Sequence, residues 1–255
     1  MKRFSVVGIT LLLLFALANC GEHHGDPTET SEASAATGEI NMSEFPTLND
    51  EELSALSEQM IGCAMEPSLS FASLEDLSNG CIAAREGGDL ASFVSGRIGP
   101  TESSLADIAE EVNLAALEKI YVPTGVPEPY RLNGISVAKS GVGIRYCREE
   151  DLISDDPARI LRQFAYTYSR SDLDSPLNDR MQHYGVTKED LIEGKYLFNE
   201  TSYTLDWELD GGVMNLKLPT SLEVYERKIS LVEYLGLSSI EDLAQFAEVK
   251  LINLG

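Results

Sequence analysis

Apolar positions in the first half of the chain recur at helical spacing. Leu53, Leu56, Met60 and Ala64 follow Asn49-Asp50-Glu51-Glu52. Leu74, Leu77, Cys81 and Ala84 follow the opening Ser73-Leu74-Glu75-Asp76. Leu105, Ile108, Ala109, Val112, Ala116 and Ile120 make a third stripe. Steps of three and four residues place such side chains on one helix face. A hydroxyl or short amide before acidic residues is an N-cap signal, and the acid also suits the helix dipole. The pattern predicts a helical segment over residues 46–120. The same S/T-x-E-D-L opening recurs at Thr187 and Ser239, which reads as repeated capping chemistry and not as internal duplication. The second of these predicts a short helix over 239–247, with Ile240, Leu243, Ala244 and Ala247 inward.

From about residue 121 the period changes to two. Tyr203, Leu205, Trp207 and Leu209 alternate with Thr204, Asp206, Glu208 and Asp210, and Met214, Leu216 and Leu218 alternate after Asp210-Gly211. Asp-Gly between alternating runs is a strong hairpin signal. A two-residue turn there sets Trp207 opposite Met214 and Leu205 opposite Leu216, so both strands bury one face. Ser140-Gly141, treated the same way, sets Val137 opposite Ile144 and Ile135 opposite Tyr146. Ile160, Phe164, Tyr166 and Tyr168 predict another strand, and residues 249–254 a closing one. Between the two halves, Pro123, Pro127 and Pro129 forbid helix and favour an extended lead-in. The expected fold class is α+β: an N-terminal helical segment followed by an antiparallel β-sheet domain, 121–255, with short helices.

The first forty-five residues follow neither period. Lys2-Arg3 precedes an apolar run, Val6 to Leu17, that ends in Leu17-Ala18-Asn19-Cys20. The run falls short of the ~20 residues a spanning helix needs and matches a signal-peptide core. The end resembles a lipobox, in which cleavage leaves a cysteine that carries a thioether-linked lipid. Residues 1–19 then read as a signal peptide, Cys20 as the lipid attachment site, and 20–45 as a flexible acidic tether, poor in apolar residues. The expected address is the extracytoplasmic face of a cell membrane, held there through the N-terminal lipid. His23-His24 sits in the tether and reads as incidental.

Charge narrows the partners. The formal net charge is −23, and thirteen acidic residues but no Lys or Arg lie between Cys20 and Ala84. Phosphate binding needs clustered basic side chains, so no nucleic-acid partner is expected. The expected partner is an envelope protein or a small ligand.

The segment from Tyr121 onward also carries a resemblance. Tyr121-Val122-Pro123 and Pro127-Glu128-Pro129-Tyr130, the paired strands, the Trp207 strand ending in Asp210-Gly211, and the closing helix and strand over 239–254 occur in that order. In this the chain resembles an uncharacterised family of Gram-positive surface lipoproteins, whose C-terminal sheet domain also occurs in anti-sigma-factor-like membrane proteins. Pro129 stands where the family more often has Gly. The resemblance implies a cell-surface sheet domain with helices and supplies no catalytic residues.

The search for chemistry yields no active site, cofactor motif or metal motif. Ser136-Val137-Ala138-Lys139 matches S-x-x-K, and Lys139-Ser140-Gly141 is near K-T-G, but the two share a lysine in a predicted hairpin. Cys147 and His183 are the one thiol–imidazole pair outside the tether. Cys63 and Cys81 lie on neighbouring predicted helices, where either a disulfide or buried thiols would fit. Glu149-Glu150-Asp151 and Asp155-Asp156 supply paired carboxylates. Asp172 to Asp179 begins like a calcium loop, but Pro176 interrupts it and no closing glutamate follows. The leading expectation is a non-enzymatic binding or sensing module whose ligand groove, between sheet and helices, is walled by Trp207, Tyr203 and Tyr146. The alternative is a carboxylate-dependent envelope hydrolase.

Overall fold

The computed structural model describes residues 66–153, 156–170 and 176–255. Strands are numbered in chain order: β1 (Ser68–Phe71), β2 (Val94–Ile98), β3 (Lys119–Pro123), β4 (Arg131–Ala138), β5 (Gly141–Cys147), β6 (Phe164–Arg170), β7 (Leu197–Asn199), β8 (Thr204–Leu209), β9 (Gly212–Lys217) and β10 (Val249–Asn253). Eight of them form one antiparallel sheet in the order β2-β1-β4-β5-β6-β9-β8-β7, while β3 and β10 pair as a separate ribbon. The helices are short: α1 (Leu74–Glu86), α2 (Leu105–Glu111), α3 (Glu149–Leu152), α4 (Pro176–Tyr184), α5 (Leu222–Tyr225) and α6 (Leu231–Tyr234). The described fold is therefore α+β, built on an antiparallel sheet.

The Asp210-Gly211 hairpin has the predicted register, with Trp207 opposite Met214 and Leu205 opposite Leu216. Asp210 and Gly211 have φ of 47° and 78°, the pair of positive values a two-residue type I′ turn requires. The other hairpin differs from expectation. Ile135 faces Ile144 and Val137 faces Val142, so the turn is Lys139-Ser140 and the register moves by two residues. An even shift leaves every side chain on its expected face. Gly141 is used in the strand instead of the turn: a Cβ there would lie 2.0 Å from the Tyr168 carbonyl oxygen on β6.

The expected helical segment is only partly helical. Ser73 caps α1 by accepting from the Asp76 amide at 3.0 Å, and Leu77 and Cys81 point inward as the stripe predicts. The third stripe breaks early. Ser104 and Asp107 form a capping box on α2, but Asn113 turns left-handed at φ 55° and ends the run, so Ile120 lies on β3. β1 and β2 also fall in this segment and extend the sheet through β4. Residues 66–255 form one compact unit. Ile160, expected on a strand, is on the 3-10 turn Pro157–Arg162 and is 60% exposed. The closing helix is a 3-10 helix, Glu241–Ala247, with Leu243, Phe246 and Ala247 buried, and β10 follows it. The stripe from Leu53 to Ala64 lies outside the described residues, as do Cys20, His23 and His24.

Alternation along each strand gives the sheet two unlike faces. One presents Leu69, Phe71, Ile135, Val137, Ile144, Phe164, Tyr166, Met214, Leu216, Leu205 and Trp207, all buried in two large apolar clusters. The other is small and polar. One row crosses all eight strands as Gly96, Ser70, Ser136, Gly143, Thr167, Asn215, Asp206 and Leu197. Thr167 and Arg145 on this face are exposed. Its β7–β8 end is covered by α4, where Leu177, Met181 and Leu197 make a third, small apolar cluster.

Candidate functional site

Trp207, Tyr203 and Tyr146 fill the space where a groove between sheet and helices was expected. Trp207 is 1% exposed and meets the Tyr196 ring edge-on at 5.7 Å. Tyr203, half-buried, donates to the Val224 carbonyl at 3.0 Å and packs against Tyr225. Tyr146 lies edge-on to Tyr166, and burial pushes its phenol above the ordinary value. All three belong to one apolar cluster. The physical reason is the pleat for Trp207 and Tyr146, whose strand positions face the apolar layer that packs onto them; Tyr203, expected on the same strand as Trp207, is instead a turn residue just before β8, at φ 54°.

An open concavity of about 560 Å³ lies on the far side of Tyr196. Its wall includes Tyr196, Leu237, Glu193, Glu241, Asp242 and Glu248. Three separate turns assemble it. Glu193 and Gly194 are both left-handed, in a turn closed by the Ile192–Tyr196 bridge. Gly236, at φ 68°, ends α6, and the Leu237 amide returns to the Val232 carbonyl at 2.9 Å. Asp242 accepts from the amides of Ser238 and Ser239, each at 2.9 Å, which starts the last 3-10 helix. Backbone and Ser239 hydrogen bonds hold the Glu241 carboxyl below its usual range. Lys195 reaches over Tyr196, with Nζ 3.1 Å from its hydroxyl. The wall thus offers carboxylates around an aromatic edge, a chemistry that attracts positive charge.

Two polar clusters stand apart from the concavity, the first with no counterpart among the sequence candidates and the second built on two of the candidate carboxylates, Asp151 and Asp156. In the first, Asp206 on β8 is fully buried. Its Oδ1 accepts from Arg180 of α4 at 2.7 Å and from Asn215 of β9 at 2.6 Å, while Oδ2 is buried with no hydrogen bond. Burial raises its carboxyl above the ordinary range, against the lowering effect of Arg180 and Asn215. Glu208, two residues on, accepts from the Leu177 amide at 3.0 Å. The available signal was α4 itself: Pro176 suits a first helical position, and Leu177 and Met181 are one turn apart. The alternating oxygens of Asp172 to Asp179 mask that signal by resembling the start of a calcium loop; residues 171–175 of that stretch lie outside the described residues.

In the second cluster, Arg162 binds both Asp151 and Asp156, at 2.6 and 2.8 Å. Asp151 is buried on α3, and neighbouring Arg148 sits 5.3 Å from the Tyr130 ring. The acidic run at 149–151 therefore ends in a structural ion pair, with Asp151 and Asp156 sharing one guanidinium. Asp155 lies outside the described residues.

The remaining candidates separate. Ser136 is on β4, its Oγ 3.4 Å from the Gly143 carbonyl, and Lys139 is in the exposed turn, so no helix presents the S-x-x-K pattern. Cys147 is buried at the end of β5, while His183 is exposed on α4 with its ring against Tyr184. Burial pushes the Cys147 thiol up and that of Cys81 to about 11, so both stay protonated at neutral pH and are poor nucleophiles. Cys63 lies outside the described residues. Among the described residues no group of three His, Cys, Asp or Glu side chains is placed to hold a metal ion.

Comparison with protein-family models, curated proteins and solved structures finds no match.

Proposed function

We propose that this chain is a lipid-anchored extracytoplasmic binding module of the cell envelope, with the carboxylate-walled concavity beside Tyr196 as its ligand seat. The anchor rests on one observation, the short apolar run that stops at Leu17-Ala18-Asn19-Cys20. Acyl chains on Cys20 hold a protein at a bilayer without a spanning helix. Among the described residues no helix is long and apolar enough to cross a membrane. The resemblance to Gram-positive surface lipoproteins supports the same address. Lys195 already lies over the Tyr196 ring, so it is the carboxylates of Glu193, Glu241 and Glu248 on the wall that favour a positively charged ligand.

Two measurements test this. Mass spectrometry of the full chain expressed in a lipoprotein-processing bacterium should find an N-terminus at acylated Cys20; an intact leader or an unmodified Cys20 refutes the anchor. Titration of the full chain carrying Cys20→Ser with a tetralysine peptide should shift the resonances of residues 193–196 and 237–248. The shifts should shrink at least about tenfold in Glu193→Gln/Glu248→Gln. Binding unaffected by that pair refutes the seat.

A further inference from the structure

α4 is attached to the sheet differently from every other described helix. Leu177, Met181 and Leu197, with the half-buried Val186 and Leu191, form a cluster of their own, separate from the two that hold the main core. The cluster lies on the polar face, because Leu197 pairs with Asp206 and shares its side of the sheet. Burial of three apolar side chains scarcely offsets the entropy of ordering a nine-residue helix. The polar contacts therefore decide whether α4 stays down. Among the described residues these include the Leu177 amide to Glu208 and Arg180 to Asp206.

The second contact is unevenly made. The Arg180 side chain is 36% exposed and can return to water, whereas that of Asp206 is 1% exposed and keeps one oxygen without a hydrogen bond. An ionised carboxylate in that position is tolerated only while its partner is in place. We infer that α4 is a latch, which opens from the sheet as a unit while the main fold stays closed, with the Arg180–Asp206 pair setting the balance. Opening bares Asp206 and Asn215 beside the already exposed Glu208, and so lengthens the polar row that crosses the sheet.

The charge state of Asp206 biases the latch. Around it stand Arg180 from α4, Asn215 from β9, Thr204 and Glu208 on its own strand, and the apolar Leu197 from β7. Lys217, next on that face of β9, points its amine to the Ser202 carbonyl and the Tyr225 hydroxyl. Asp179 and His183 on α4 are exposed. Burial raises the Asp206 carboxyl in the closed form, so that form holds the proton more tightly than the open one. Closure is then strongest at low pH and weakens as pH rises through the raised value.

Hydrogen exchange of the full chain carrying Cys20→Ser, corrected for intrinsic rates, reads this directly. Amides of residues 178–184 should exchange at least about tenfold faster than those of β5 and β6 at pH 7, by opening below the global limit. Arg180→Met should raise their exchange about tenfold more at pH 7 and much less at pH 5, with β5 and β6 unchanged. Adding Asp206→Asn to that variant should restore protection and abolish the pH dependence. The latch is refuted if α4 is as protected as β5 and β6. It is equally refuted if Arg180→Met acts independently of pH, or if it exposes the whole sheet and Asp206→Asn does not rescue it.

Discussion

The hydroxyl of Tyr166, on a middle strand of the sheet, donates to the carbonyl of Phe246 at 2.8 Å in the last helical turn. Both residues are buried, so the bond has no water to replace it. Tyr166→Phe removes the donor and leaves that carbonyl unsatisfied, which should destabilise the fold by about 1–3 kcal/mol. Urea unfolding of the two proteins measures the difference; equal midpoints would show that the bond contributes nothing.

Gly211 tests backbone geometry free of packing. A Cβ at this position meets nothing within 4 Å, yet φ is 78°. Gly211→Ala should therefore lose about 1–2 kcal/mol from left-handed strain alone. Thermal unfolding would record this as a lower Tm with unchanged near-ultraviolet dichroism.

Gly80 presents the opposite case. It lies in the interior of α1, where Ala is the better helix former by about 1 kcal/mol. A Cβ there would come within 2.7 Å of the Phe71 ring, itself fully buried. Overpacking of a closed core costs about 1–3 kcal/mol. Gly80→Ala should thus be neutral to destabilising; a gain in stability in denaturant titration would show that the Phe71 ring can move aside.

Lys217 predicts a rise in stability on the alkaline side. Burial lowers its amine to about 8, below the ordinary 10.5. The unfolded chain binds this proton more tightly than the folded one, so folding stability should increase as pH climbs from about 8 toward 10.5. The difference between the wild type and Lys217→Met isolates the effect, because other groups titrating there cancel. A flat difference between pH 8 and 10 would contradict the assignment.

What was legible in the sequence was whatever local chemistry decides. Ser73 with Asp76 marks a helix start in either view, and Asp210-Gly211 fixes a register because two positive φ values admit few residue pairs. β2 was not legible: Val94-Ser95-Gly96-Arg97-Ile98 is a short edge strand with little apolar surface to bury, and only its partner defines it. The helix stripe through Ile120 failed because a period says nothing about Asn113 turning left-handed within it. Asp206 shows the limit most clearly. Alternation places it opposite Leu205 and Trp207, hence on the polar face, but cannot say that α4 covers that end. The concavity beside Tyr196 was likewise invisible, since residues 193, 237 and 242 meet only through three unrelated turns.

The β3–β10 ribbon carries a kinetic consequence. Ile120 faces Ile252 across it, and Leu254 donates back to the Glu118 carbonyl at 2.8 Å. A chain that emerges from its N-terminus must therefore carry β3 without its ribbon partner while more than a hundred residues follow. Closing so long a loop is slow, and unpaired strand edges invite association meanwhile. Maturation of this unit is thereby gated by delivery of its final strand, and a chain stalled short of it is a substrate for holding factors or proteases before it is a folded protein.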